Sequence, residues 1–221
     1  MLGLRPVVDP RTRLPRLVLG LVLLGLGIAF MVAADLGLAP WSVLDQGISR
    51  RTGIPIGTVS ILVGAVVLAC WLPLRERPGV GTVLNIVVIG TTIDAALLVL
   101  DTPDGTLGRA AYLAIGAFLW GPGSGWYIGA GLGPGPRDGL MTGLAARGVG
   151  SIRLVRTGIE ATALTVGWLL GGSVGVGTLV FAATIGPNVQ FFLRRLAVRP
   201  AARPSAPAAL DGPGAVPAIE G

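Results

Sequence analysis

The sequence predicts an all-α membrane protein: a polytopic helical bundle of six crossing helices, arranged as two inverted three-helix repeats. Three observations carry that expectation. Apolar runs reach bilayer-spanning length, charge is sparse, and the chain matches itself at an offset of 96 residues. Of the 221 residues 52% are hydrophobic and 13% charged, with a mean hydropathy of +0.77. A soluble domain carries roughly a quarter charged residues, so this chain lacks the polar surface to face water. The absence of histidine removes His-ligated metal sites and Ser-His triads. The single cysteine, Cys70, removes a disulfide framework.

The elements follow in order. Residues 1–16 form a basic start, read as a cytoplasmic N-terminus. The first apolar run, 17–34, has 18 residues, longer than the ~7–15 of a signal-peptide core, and is read as a retained helix. Further runs lie at 56–73, 82–100, 110–130, 153–171 and 177–193. A helix needs about 20 residues, with a range of ~17–25, to cross the hydrocarbon. None of the runs alternates like a barrel strand. Segments 41–50 and 137–147 are too short to cross alone and read as re-entrant or interfacial helices. Pro40 and Pro136 stand where a first-turn proline belongs. The chain therefore divides into a first repeat at 17–100, a linker at 101–112 and a second repeat at 113–196. A Pro/Ala-rich tail follows at 197–221, read as disordered.

Between 34–100 and 130–196, 20 of 67 positions are identical, where this composition gives about a tenth by chance. Gly79-Val80-Gly81-Thr82 recurs as Gly175-Val176-Gly177-Thr178, and Leu36-Gly37 with Pro40 as Leu132-Gly133 with Pro136. Three crossings per half force the second half to insert upside down, a plan common in secondary transporters. With the N-terminus inside, 14 of the 17 arginines fall on the cytoplasmic side and only Arg50, Arg51 and Arg109 outside. The expected location is the bacterial inner membrane, with both termini cytoplasmic. Counting eight spans gives the same score, so charge does not separate six from eight.

Polar groups inside apolar runs point to chemistry because burying them is costly. Asp94 has Gln190 as its counterpart and Thr92 has Asn188, while Gly186-Pro187 is expected to break the last helix. Asp94, Asn188 and Gln190 are the first candidate substrate site; interhelical hydrogen bonding is the structural alternative. Arg153, Arg156 and Glu160 share one helix face where the first half has Gly57, Ser60 and Gly64. The i,i+4 pair Arg156 and Glu160 are further candidate substrate ligands; the structural alternative is that the arginines mark the cytoplasmic interface and Glu160 neutralises one of them. Arg137 at a short-helix N-terminus is a candidate anion ligand, with Trp41 as its counterpart. Gly25, Ala29, Ala33 and Gly121, Gly125, Gly129 form matching small-residue ladders for close helix packing. No catalytic signature is found, and neither a metal nor another cofactor is implied.

The chain resembles the YczE/YyaS/YitT group of bacterial integral membrane proteins, the YczE branch most closely. "ADLGLAPWSVLDQGISRRTGIPIGTVSILVG" at 34–64, "RPGVGTVLNIVVIGTTID" at 77–94, "YIGAGLGPGPRDGLMTGLAAR" at 127–147 and "SIRLVRTGIE" at 151–160 carry the resemblance. It covers roughly 16–196 and implies a multi-pass membrane protein, with no catalytic or ligand residues carried over. The expected function is a small permease for an anionic or amphipathic solute. The alternative is a non-transporting membrane partner or assembly factor. Expected partners are the lipid bilayer, such a solute, and a second copy or another membrane protein, but not nucleic acid.

Overall fold

A computed structural model describes residues 10–196, so the tail at 197–221 and the first nine residues lie outside the described residues. All secondary structure there is helical. Nine helices follow in order: α1 (Pro10–Ala34), α2 (Pro40–Thr52), α3 (Ile56–Ala69), α4 (Trp71–Leu74), α5 (Val80–Leu97), α6 (Thr106–Ala130), α7 (Pro136–Ala146), α8 (Ile152–Leu169) and α9 (Val176–Leu196). Helices starting at Pro10, Pro40, Ile56 and Val80 are each followed 96 residues later by one starting at Thr106, Pro136, Ile152 and Val176.

Four segments are long and apolar enough to cross a membrane: Arg13–Ala34, Ile56–Leu74, Val80–Leu97 and Val176–Leu196. The other two expected crossings, α6 and α8, are long enough but not apolar enough. Glycines together with Pro122 and Ser124 dilute α6. Arg153, Arg156 and Glu160 charge the first half of α8. The chain is thus an all-α membrane protein in which two long helices are more polar than their length implies.

α1 and α6 form the central pair, with α5 against α1 and α9 against α6. The pair is antiparallel: Arg13 donates to the Ala130 carbonyl at 3.3 Å, and Gly27 backs onto Gly116. Leu17, Leu21 and Leu24 bury against Tyr127, Ala130 and Leu132 at one end. Met31, Ala34, Leu38 and Val43 bury against Leu113 and Phe181 at the other. Dispersion in such close packing holds membrane helices together, because lipid offers no hydrophobic drive.

Gly25, Gly121 and Gly125 of the small-residue ladders face helices other than the α1–α6 partner. A Cβ at Gly25 would meet Thr92 of α5 at 2.6 Å, and one at Gly121 would strike Asn188 of α9. Gly125 backs onto Phe192 of α9, while Ala29, Ala33 and Gly129 are buried. The glycines at which the backbones of α1 and α6 approach most closely are Gly20 and Gly27 with Gly123 and Gly116. The expected break at Gly186-Pro187 does not form: α9 runs unbroken through both. Membrane helices tolerate proline where neighbours or local adjustment satisfy the freed carbonyl.

The repeated motifs bind each other across the two halves. Gly81 N–H donates to the Leu132 carbonyl at 2.9 Å, and its counterpart Gly177 N–H donates to Leu36 at 2.7 Å. Gly37 and Gly133 take φ of 109° and 127°, a left-handed backbone that favours glycine. Thr82 and Thr178 hydroxyls accept from Gly79 and Gly175 N–H at 3.0 and 3.3 Å, closing the first turns of α5 and α9.

Candidate functional site

The first turns of the two short helices meet. Each is anchored by the opposite half of the chain. Leu38 N–H donates to the Ser173 carbonyl at 3.2 Å, and Ser173 N–H donates to the Gln46 amide oxygen at 2.7 Å, fixing α2 beside the α8–α9 loop. At the start of α7, Trp71 Nε1 donates to the Pro136 carbonyl at 2.9 Å and the Thr82 hydroxyl to Pro134 at 2.7 Å. Gly139 is required there because a Cβ would strike the buried Trp71 ring. Proline at N1 of both helices leaves one fewer unpaired N–H at each terminus.

At this junction the Arg137 guanidinium lies 4.6 Å from the Trp41 ring centroid and donates to Asp45 Oδ2 at 3.3 Å. Asp45 is 3% exposed. Its other oxygen, Oδ1, and the Trp41 indole N–H are buried and have no hydrogen-bond partner among the described residues. Burial pushes the Asp45 carboxyl above the ordinary carboxylate range, opposed by the Arg137 charge and the nearby Ser60 hydroxyl. A Cβ at Gly135 would lie 3.0 Å from the Tyr127 hydroxyl, 3.2 Å from Asp138 Oδ2 and 3.8 Å from Asn85 Nδ2. The buried Tyr127 hydroxyl also has no partner among the described residues. An unpaired buried donor and acceptor beside a partly free guanidinium suit a polar ligand able to both accept and donate. An apolar groove of about 530 Å³ adjoins this junction, with Trp41, Leu44, Leu144, Val155, Ile159 and Ala163 among its walls.

The other candidates go to separate places. Asp94, in the last turn of α5, caps α3: it accepts from Gly57 N–H at 2.6 Å and from Thr58 N–H and hydroxyl at 2.8 Å each. Pro55, at the N-cap of α3, has no side chain able to do this. Asn188 donates to the Ala117 and Phe118 carbonyls of α6 at 2.9 and 3.2 Å, tying α9 to α6. Gln190 is exposed on α9. Asp94, Asn188 and Gln190 therefore do not assemble into one site, since each meets a different surface. Arg156 Nε donates to Glu160 Oε1 at 2.9 Å on an exposed face of α8. Arg153 and Arg156 line a cleft of about 210 Å³ with Asp138, Met141, Thr142 and Ile152.

Sequence reasoning selected Arg137 but missed Asp45, Tyr127 and the packing role of Trp41. No local spacing marked Asp45, because its arginine lies 92 positions away. Among the described residues no group of three or more His, Cys, Asp or Glu side chains is placed to hold a metal ion.

Residues 11–194 match the model of a family described as "Family of unknown function (DUF6198)". An uncharacterized protein of Haemophilus influenzae is 42% identical over 184 residues, covering 83% of this chain and 84% of that one. The uncharacterized membrane protein YczE of Bacillus subtilis is 34% identical over 176 residues, covering 79% and 82%. The uncharacterized protein YyaS of the same organism is 26% identical over 179 residues, covering 79% and 89%. No solved structure matches.

Proposed function

The chain belongs to the DUF6198 family, and we propose that it is a small-solute transporter for an anionic or amphipathic solute. In this reading two inverted three-helix repeats, 17–100 and 113–196, cross the inner membrane six times with both termini cytoplasmic, and the solute binds where α2 and α7 meet. The repeated helix starts, the antiparallel α1–α6 pair and the reciprocal Gly81–Leu132 and Gly177–Leu36 bonds support an inverted plan. Contacts exchanged in this way between equivalent residues are the mark of a two-fold relation.

One observation carries the transport reading. The Arg137–Asp45 pair, with Asp45 Oδ1 and Trp41 Nε1 unpartnered, lies buried between elements of opposite halves. Buried ionisable groups in membrane proteins mark solute paths, and sites between repeats are where alternating access operates. Arg137 attracts an anion, and the apolar groove beside Trp41 accepts an apolar body.

The experiment is uptake into proteoliposomes of a panel of small anions: inorganic phosphate, acetate and benzoate. Saturable uptake of at least one, abolished in Arg137→Gln, is expected. No uptake by the intact chain, together with stable co-purification of a membrane protein, favours the second reading, a partner or assembly factor.

A further inference from the structure

The two halves differ in how their third and fourth long elements pack. In the first half α3 lies along α5. Small residues permit this: a Cβ at Gly57 would strike the Gly90 carbonyl, and one at Gly64 would come within 3.1 Å of Ile86. Their counterparts are Arg153 and Glu160, with Arg156 for Ser60. Correspondingly, α8 packs along α2 instead of along α9. Gly186, the counterpart of Gly90, has nothing within 4 Å of where its Cβ would be. Ala182, Ala183, Pro187 and Gln190 are exposed on the same helix. The space that α3 fills in the first half is therefore open in the second.

Arg153 and Glu160 stand on the face of α8 equivalent to the one α3 turns to α5, and Arg153 and Arg156 also line the cleft with Asp138 of α7. Arg153 makes no ion pair among the described residues, whereas Arg156 is held by Glu160. Glu160 is the ninth residue of the 18 in α8, about 12 Å along the axis from its first residue. Charged side chains facing hydrocarbon are costly unless something polar accompanies them. Arg194 and Arg195 add positive charge at the end of α9. A transmembrane helix would fill the gap poorly, because long Arg and Glu side chains prevent the close approach that small residues allow. A lipid meets both demands. Its phosphate matches the guanidinium fork, and its flexible chains cover an irregular apolar face.

We propose that a membrane lipid with an anionic headgroup seats between α8 and α9. Arg153 and Arg156 hold its phosphate, and an acyl chain lies over Ala182, Ala183 and Gly186. The site does not involve Asp45 or Arg137, so it stands independently of the transport reading.

Native mass spectrometry of the full chain in detergent, with phosphatidylglycerol and phosphatidylcholine as probes, tests it. Preferential retention of phosphatidylglycerol is expected, falling about fivefold for each arginine removed, as for basic residues at an anionic membrane surface. R153Q/R156Q should lose that preference while R153K/R156K keeps part of it. The variant R153G/R156S/E160G, which restores the first-half residues, should lose it as well. R137Q should retain it, and doing so separates this site from the proposed solute site. Equal retention of both lipids, undiminished phosphatidylglycerol retention by R153Q/R156Q, or a dimer that survives lipid removal and occupies this face would overturn the proposal.

Discussion

Arg137 has two partners and two consequences. Its pairing with Asp45 neutralises a buried carboxylate, and its guanidinium carbon lies over the Trp41 ring. Removing only the cation leaves the Asp45 carboxyl without its partner in a site 3% exposed. Breaking a fully buried pair costs about 3–5 kcal/mol. A quarter of the Arg137 side chain is exposed, so Arg137→Gln should cost about 2–3 kcal/mol, read as a lowered thermal midpoint in detergent. Asp45→Asn on top of Arg137→Gln should recover part of that loss, because no buried charge is then left alone. A double variant less stable than Arg137→Gln alone would show that the pair is not the cause. Asp94 calls for the opposite expectation from a solute ligand. Asp94→Asn should lower stability by about 0.5–2 kcal/mol, the range for a lost helix cap, and leave uptake intact. Sequence alone could not distinguish these two acids. Asp94 stood out because it lies in an apolar run, but its partners are backbone N–H groups of Gly57 and Thr58. Asp45 and its arginine are 92 positions apart, and no local spacing pairs them.

Elements were far more legible than their partners. Hydrophobic run length located every long helix, and proline at position 40 and again at 136 located α2 and α7. The step at Cys70 that divides the run at 56–73 into α3 and α4 left no such mark. Neighbours were less legible, because small-residue spacing identifies a close contact without saying which helix makes it. Gly25 and Gly121 pack on α5 and α9, not on each other's helices. The Gly186-Pro187 step read as a break since proline lacks an N–H donor, yet helical geometry persists on both sides. Equivalent glycines in the two halves now give a paired prediction. Gly57→Ala drives a methyl into the α5 backbone and should destabilise by about 1–3 kcal/mol through overpacking. Gly186→Ala meets open space on a helical residue and should be neutral or stabilise by up to ~1 kcal/mol. Melting of both variants in one detergent reads the difference. Equal losses would mean that α8 closes on α9 as α3 closes on α5.

At the scale of the whole molecule, the two halves hold each other through identical motifs used reciprocally. Leu36-Gly37 receives the start of α9, and Leu132-Gly133 receives the start of α5. Two copies related by translation would not exchange such contacts; a two-fold rotation brings equivalent surfaces together. Arg137 over Trp41 fits the same relation, because the two residues are counterparts and residues that meet their own counterparts lie close to the axis. If each half crosses the bilayer three times, that axis lies in the membrane plane and the linker at 101–112 is on the side opposite the N-terminus. Arginine counting cannot test this, since six and eight spans score alike. Labelling can. In a Cys70→Ala background, a cysteine at Thr102 should react with a membrane-impermeant maleimide added outside intact cells. A cysteine at Pro78, in the α4–α5 connection, should react only after permeabilisation. Labelling of both from the same side would require an even number of crossings between them, making α5 a helix that does not span. The two-fold would then relate surfaces on one leaflet, and the exchange of solute between two faces of the membrane would lose its structural basis.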